Sequence, residues 1–236
     1  MPRCADTTPQ RDDDMKIGFV GAGRIGTNAA RLLAAAGHEV FLSHTRSPAS
    51  LAAAADAVGP DTPTGTAPQA VAFGEVVFFA VPWGALHDAI EVAGPLDNRV
   101  VIDANNPFGP SGWVEPPHGL TSAQFNAKRI PDGRVVKAFN TLTAGFQASA
   151  AGRVGPDRVV MFHACDDVED TVAVAERLID DAGFVPARIG PLAESGPLEA
   201  PRRPGAVYGE EYHLGDALAY VRALHEGGPL PGPSVV

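Results

Sequence analysis

The chain has 236 residues, 45% of them hydrophobic, so it can bury one sizeable core without disulfides or a structural metal. Its formal net charge of −10, with dispersed Lys and Arg, argues against a nucleic-acid partner, because neutralising phosphates requires clustered cations. The chain has only two cysteines, which are isolated from each other, as is typical of a reducing compartment. No apolar run approaches the roughly 20 residues of a membrane span, and the N-terminus lacks an apolar signal core. We therefore expect a cytoplasmic protein without a membrane partner.

The predicted elements alternate between strands and helices from residue 16 onward. Residues 1–14 are polar and unpatterned, so we expect a disordered tail, and Met15 is a candidate for the functional start. Apolar runs predict strands at 16–20, 39–43, 63–64, 76–81, 100–104, 135–139, 158–163 and 185–189. Helical spacing separates these runs, and a last helix is predicted near 215–224.

Several of the predicted strands are continuously apolar, such as VVFFAV and VVIDA, which is typical of central parallel strands covered on both faces. Their alternation with helices predicts an α/β fold, a doubly wound, mostly parallel sheet with a small C-terminal α/β appendage. We therefore expect a Rossmann domain over 15–140, a small cleft domain over 141–225 and a second disordered tail over 226–236.

The first strand is followed by GAGRIG, residues 21–26, which opens the first helix. In this motif the first glycine permits a tight turn, the second lets the backbone approach a pyrophosphate, and the third lets the helix pack on the sheet. The helix N-terminus supplies N–H groups for the phosphates. These features predict dinucleotide contacts at Gly21, Ala22, Gly23, Arg24, Ile25 and Gly26. A glycine turn without a ligand is the alternative.

The second strand ends in Ser43, His44, Thr45 and Arg46, where NAD-selective sites carry an Asp or Glu. A guanidinium together with hydroxyl donors suits a phosphate monoester, so this segment predicts NADP(H) as the cofactor. A solvated loop is the alternative interpretation.

Two later strands end in AVPWGAL and DANNPFG, where open α/β sheets bind their ligands. Trp83 either flanks the nicotinamide or packs between domains. Lys137 is either a catalytic amine or, as we favour, a partly buried structural lysine. The seven histidines have no metal-ligand spacing, so we expect no metal site, and the residues indicate no catalytic acid or base.

Four motifs taken together, MKIGFVGAGRIG, FFAVPWGAL, VVIDANNPFG and VVKAFNTL, resemble the coenzyme F420-dependent NADP reductase family, which is related to the NADPH-binding domain of STEAP metalloreductases. The resemblance covers about residues 15–145. It implies direct hydride transfer between NADPH and a flavin-like acceptor, coenzyme F420, without a catalytic acid. It also implies that Ser43 and Arg46 hold the 2′-phosphate. The ribose–nicotinamide side and the cleft floor would be formed by Ala80, Val81, Pro82, Trp83, Asn105, Asn106, Pro107, Ala138, Phe139 and Asn140.

After Gly190 the chain departs from this family, since a proline-broken segment stands where deazaflavin-using members have a compact helical end. Two further hypotheses therefore stay open. One is an NADPH-dependent reductase of a small carbonyl, imine or quinone, with the segment from Thr141 as the roof of its pocket; the other is a non-catalytic NADP(H) sensor. We also expect a homodimer, because apolar, loop-rich C-terminal segments often pack between subunits.

Overall fold

Strands and helices alternate in a computed structural model that describes residues 14–43, 47–130, 132–199 and 204–234. The strands are β1 (Lys16–Val20), β2 (Glu39–Ser43), β3 (Thr64–Gly65), β4 (Val76–Phe79), β5 (Val100–Asp103), β6 (Phe108–Gly109), β7 (Gly112–Trp113), β8 (Arg134–Lys137), β9 (Val160–Cys165) and β10 (Val185–Gly190). The helices are α1 (Arg24–Ala35), α2 (Pro48–Val58), α3 (Ala67–Phe73), α4 (Leu86–Ala93), α5 (Ser122–Ala127), α6 (Ala144–Ala150), α7 (Thr171–Asp181) and α8 (Leu214–Glu226).

Eight of the strands form one sheet, in the order β10-β9-β8-β5-β4-β1-β2-β3. All pairs are parallel except β8 with β9, so β9 and β10 run opposite to the other six. The doubly wound, mostly parallel sheet predicted from the sequence is therefore confirmed. The predicted C-terminal appendage adds β9 and β10 to this same sheet.

Burial on both faces explains the continuous apolar strands. Every residue of β4 and β5 is buried. On one face the core is built by α1, α2, α6 and α7, and on the other by α3, α4 and α5. The rings of Phe19 and Phe78 stack at 4.8 Å between centroids, and Phe139 meets Phe78 edge-on at 5.1 Å. Such aromatic pairs add to the free energy that burial of their area supplies.

The C-terminal segment packs against β9 and β10 through three aromatic rings. Tyr212 and Tyr220 both contact Phe162 edge-on, and the Tyr212 hydroxyl donates to the carbonyl oxygen of Pro231 at 3.1 Å. The backbone N–H and the hydroxyl of Ser234 donate to the carboxylate of Asp216, at 2.9 and 2.8 Å. Ser234, within the segment 226–236 that we expected as a disordered tail, is thus bonded to the first turn of α8, a contact that composition does not reveal.

The other predicted tail falls almost entirely outside the described residues, since it covers residues 1–14 and the description begins at Asp14. In the part of the chain that the structure covers, no helix has both the length and the apolar character needed to cross a membrane. The β6–β7 hairpin was not predicted, because it lies in a segment rich in glycine and proline that shows no strand period.

Candidate functional site

The three glycines of the turn between β1 and α1 have different surroundings, and two of them are required by the fold. Gly21 has a φ of +112°, and an added Cβ would lie 2.6 Å from the backbone of Ala80. A Cβ on Gly26 would lie 1.9 Å from the carbonyl oxygen of Gly21. The fold itself therefore requires both of these glycines.

Gly23 differs from these two because the protein leaves space around it. A Cβ there would meet only the Ala80 carbonyl oxygen, at 3.9 Å, and its φ of −80° is open to any residue. Gly23 is also the N-cap of α1 and offers no side chain to the first N–H groups of that helix. An uncapped helix N-terminus with open space in front of it is suited to an anion such as a pyrophosphate.

Beside this turn lies a cleft of about 550 Å³ between α1, α2 and the start of α6, which we name the α1 groove. Its walls come from three helices: α1, the alanine-rich face of α2, and the first turn of α6. Two arginines of α1, Arg24 and Arg31, line it. The groove thus continues the surface of the glycine turn along the helix and carries positive charge.

Ser43 does not present its hydroxyl to a ligand. The side chain is fully buried, and its Oγ donates to the carbonyl oxygen of Phe19 at 2.8 Å. Its own carbonyl oxygen accepts from the N–H of Gly21 at 3.0 Å. Ser43 therefore joins β2 to β1 and the glycine turn, and its hydroxyl is not available for the predicted 2′-phosphate contact. His44, Thr45 and Arg46, which complete that prediction, lie outside the described residues.

A buried ion pair joins the ends of β5 and β8. Lys137 Nζ lies 3.1 Å from Asp103 Oδ2, and these side chains are 0% and 1% exposed. The same carboxylate accepts from the Nδ2 amides of Asn126 and Asn105, at 2.8 and 2.7 Å, and Lys137 also donates to the carbonyl oxygen of Asn105. Lys137 Nζ is buried and bonded to two acceptors, which favours the structural lysine of the two alternatives, and the network ties the turn after β5 to β8.

A pair of asparagines connects the next residues of these two strands. Asn140 Nδ2 donates to Asn106 Oδ1 at 3.0 Å, and Asn106 Nδ2 donates to the Asn140 carbonyl oxygen at 2.7 Å. Asn140 Nδ2 also donates to the carbonyl oxygen of Leu198 at 2.8 Å. The predicted segments 105–107 and 138–140 are thus brought together. Ala138 and Phe139 are fully buried in the core, however, so their side chains do not form a cleft floor.

Aromatic rings cover the same end of the sheet. Trp83 starts a short 3₁₀ turn after β4, is half-buried, and lies 5.7 Å from the Phe125 ring. Phe108 is 41% exposed, and its ring centroid lies 6.2 Å from those of both Trp113 and Tyr208. We call Phe108, Trp113 and Tyr208 the aromatic patch. Its members come from an unpredicted hairpin and a distant loop, so local sequence patterns do not reveal it.

The remaining predicted residues lie on or beside these strand ends. Ala22, Val81, Asn105 and Pro107 are buried, Ile25 and Ala80 are half-buried, and Arg24 and Pro82 are exposed. Across the described ranges, no three His, Cys, Asp or Glu side chains gather as a metal-binding group.

The chain resembles known oxidoreductases in both sequence and fold. Residues 16–107 match the family described as NADP oxidoreductase, coenzyme F420-dependent. A hypothetical protein from Sinorhizobium meliloti superimposes with a TM-score of 0.68 and 29% identity, over 80% of this chain and 92% of that one. Comparison with curated proteins gives no match.

Two further solved structures share the fold. A protein assigned as an F420-dependent NADP reductase, from Arthrobacter sp. FB24, has a TM-score of 0.67 and 20% identity, over 94% of this chain and 99% of that one. The reductive aminase of Aspergillus terreus, solved with NADPH, has a TM-score of 0.57 and 16% identity, over 78% of this chain and 58% of that one. The sequence match confirms the resemblance stated from the motifs, and these neighbours share the fold that it implies.

Proposed function

We propose that this chain, an NADP-dependent oxidoreductase whose residues 16–107 match the F420-dependent NADP oxidoreductase family, transfers hydride between NADPH and a flavin-like acceptor, coenzyme F420. The observation that carries the proposal is the glycine turn inside the matched region. Its first and third glycines are required by the fold, while Gly23 leaves open space at an uncapped helix N-terminus.

The cofactor would lie across the carboxyl ends of the parallel strands. With its pyrophosphate at Gly23, its nicotinamide would extend past the end of β4 toward Trp83 and the turn after β5. NADPH supplies the hydride when bound, so the protein has to align two rings and exclude water. The buried Asp103–Lys137 pair and the Asn106–Asn140 pair keep the backbone there in one geometry, which is what such alignment requires.

The aromatic patch supports a planar acceptor. Phe108 offers an exposed apolar ring close to the Asn106–Asn140 pair, and its centroid lies 6.2 Å from those of Trp113 and Tyr208. Aromatic side chains bind flat conjugated rings by offset stacking or edge contacts. The exposed ring of Phe108 therefore favours a flat conjugated acceptor, as in the deazaflavin hypothesis.

The preference for NADPH over NADH is part of the proposal and depends on Arg46. We propose that its guanidinium holds the 2′-phosphate, on the chemical ground that a planar fork of donors suits a phosphate monoester. Arg46→Ala should then weaken NADPH binding at least about tenfold and leave NADH binding unchanged. An equal loss for both cofactors would contradict the assignment.

The test of the function is steady-state oxidation of NADPH with oxidised coenzyme F420, with NADH in parallel, followed by the absorbance of both chromophores. We expect both absorbances to fall together with NADPH, with much slower change with NADH. Tight binding of NADPH with no turnover of coenzyme F420 would refute the proposed acceptor. In that case quinones, imines and small carbonyls would be tried as acceptors in the same assay.

A further inference from the structure

Tyr208 stands on a turn that the rest of the fold holds on both sides. The residue before it, Val207, is fully buried and donates its N–H to the carbonyl oxygen of Pro197 at 3.0 Å. The residue after it, Gly209, has a φ of +76° and donates its N–H to the carbonyl oxygen of Thr141 at 2.8 Å. The backbone that carries the Tyr208 ring is therefore fixed at both ends.

The same turn lies at the carboxyl end of the sheet. Thr141 directly follows Asn140, whose side chain pairs with that of Asn106 beyond β5. The Tyr208 ring lies 6.2 Å from that of Phe108, at an angle of 56°. Since β8 neighbours β5 and β5 neighbours β4, these residues lie beside the strand ends along which the nicotinamide would extend. An acceptor stacked on Phe108 would therefore have Tyr208 at its side.

The hydroxyl group of Tyr208 differs from those of the other two tyrosines of the chain. Tyr212 donates its hydroxyl to the carbonyl oxygen of Pro231 at 3.1 Å, and Tyr220 donates its hydroxyl to that of Gly205 at 2.6 Å. Within the residues that the structure describes, the Tyr208 hydroxyl makes no hydrogen bond, and the side chain is half-buried. Two of the phenols thus stabilise the fold, whereas the third is free to donate to a bound molecule.

Reduction of the proposed acceptor consumes a proton as well as a hydride. NADPH supplies the hydride when bound, and the acceptor then carries excess negative charge on a conjugated heteroatom until a proton is added there. The other polar groups described at this end of the sheet are poor proton donors. The Lys137 amine is buried and paired with Asp103, and the side chains of Asn106 and Asn140 are amides. A phenol, by contrast, is both a hydrogen-bond donor and an acid.

We infer that Tyr208 is the proton donor for the acceptor, an inference that rests on the proposed hydride transfer. As the hydride forms a C–H bond on the acceptor, the O–H bond of Tyr208 breaks and an N–H or O–H bond forms at the acceptor heteroatom. Water then returns a proton to the phenolate, since the side chain is only half-buried. NADPH, the oxidised acceptor and one proton are thus converted into NADP⁺ and the reduced acceptor. Tyr208 lies in the C-terminal segment, outside the four sequence motifs.

The test is single-turnover reduction of coenzyme F420 by NADPH with the full-length protein, in ordinary and in heavy water. Tyr208→Phe keeps the ring and removes the hydroxyl, so it should slow the reduction at least about tenfold. The Kd of oxidised coenzyme F420, measured by calorimetry without NADPH, should change by less than about fivefold. The rate of the unchanged protein should be lower in heavy water, because the transferred proton is exchangeable.

Tyr212→Phe is the matched control, because it makes the same chemical change where the hydroxyl is bonded to a carbonyl oxygen. It should leave the rate and the Kd unchanged even if thermal melting shows a lower stability. Tyr208→Phe should melt with the unchanged protein, since its hydroxyl makes no hydrogen bond in the described part of the chain.

Three results would overturn the inference alone: a Tyr208→Phe rate equal to that of Tyr212→Phe, a rate loss matched by an equal loss of coenzyme F420 binding, or a rate that is the same in heavy water. The second result would make Tyr208 a stacking residue rather than a proton donor. If the unchanged protein binds NADPH but does not reduce coenzyme F420, the proposed acceptor is refuted and this inference with it.

Discussion

Gly23→Ala should separate cofactor binding from folding. The added methyl group meets only one atom of the protein, at 3.9 Å, and the backbone conformation is one that alanine adopts. Alanine is less favourable than glycine at the N-cap position, which lowers the free energy of unfolding, but it also makes the unfolded chain less flexible, which raises it. Because these two effects oppose each other, the free energy of unfolding should change by less than about 1 kcal/mol. The methyl group would, however, stand between the pyrophosphate and the first N–H groups of α1. Losing one charge-assisted hydrogen bond costs about 1.5–3 kcal/mol, so NADPH should bind about 10-fold to 150-fold more weakly.

Fluorescence titration with NADPH and thermal melting measure the two effects of this substitution separately. Gly152→Ala is a suitable control, since an added Cβ there meets nothing within 4 Å, and it should leave both measurements unchanged. Gly21→Ala should instead lower the melting temperature, because its Cβ would lie 2.6 Å from Ala80 and its φ is +112°. If Gly23→Ala binds NADPH as tightly as the unchanged protein, or melts as early as Gly21→Ala, the reasoning about the open position is refuted.

Three further predictions concern stability. Lys137→Met leaves the Asp103 carboxylate buried without its cation and should cost about 3–5 kcal/mol in urea unfolding; a loss below about 1 kcal/mol would contradict the ion-pair argument. Glu199 is only 3% exposed, and its carboxylate accepts hydrogen bonds from two backbone N–H groups at the start of α5. Glu199→Gln should therefore lower the free energy of unfolding by about 1–3 kcal/mol. An unchanged urea midpoint would argue against this role. Burial, and secondarily Arg188, lowers the pKa of His163 from 6.5 to about 4, so the unfolded chain binds more protons between these values. The contribution of His163 to the free energy of unfolding should therefore be complete above about pH 6.5 and fall by on the order of 3 kcal/mol as the pH drops to about 4. Urea titrations at several pH values should show this decline, and His163→Gln should reduce it.

Local sequence patterns predicted most of the fold. Continuous apolar runs identified the central strands, because a strand buried on both faces carries no polar alternation. The glycine turn was equally readable, since its three glycines act within six residues. The hairpin of β6 and β7 was missed, because two-residue strands rich in glycine and proline neighbours have no period to detect.

The candidate site was only partly predictable, because side-chain direction and distant partners decide it. Ser43 was predicted at the right strand end, yet its hydroxyl turns inward to the carbonyl oxygen of Phe19. Phe139 lies in the predicted segment but packs in the core against Phe78. Asn126 and Tyr208 come from elements that the motifs do not include, and only the folded chain places them beside Asp103 and Phe108.

The antiparallel pairing of β8 with β9 has a consequence for dividing this protein. The boundary expected near residue 140 falls between two neighbouring strands of one sheet, where Val136 and Lys137 are in register with Cys165 and Ala164. A fragment ending at residue 140 would leave β8 with an open edge and would remove the cover that α6 and α7 give to one face. Unpaired edges of apolar strands associate with other chains, so such a fragment should aggregate. Any transfer of the cofactor-binding half into a chimaeric protein therefore has to include the chain through β10.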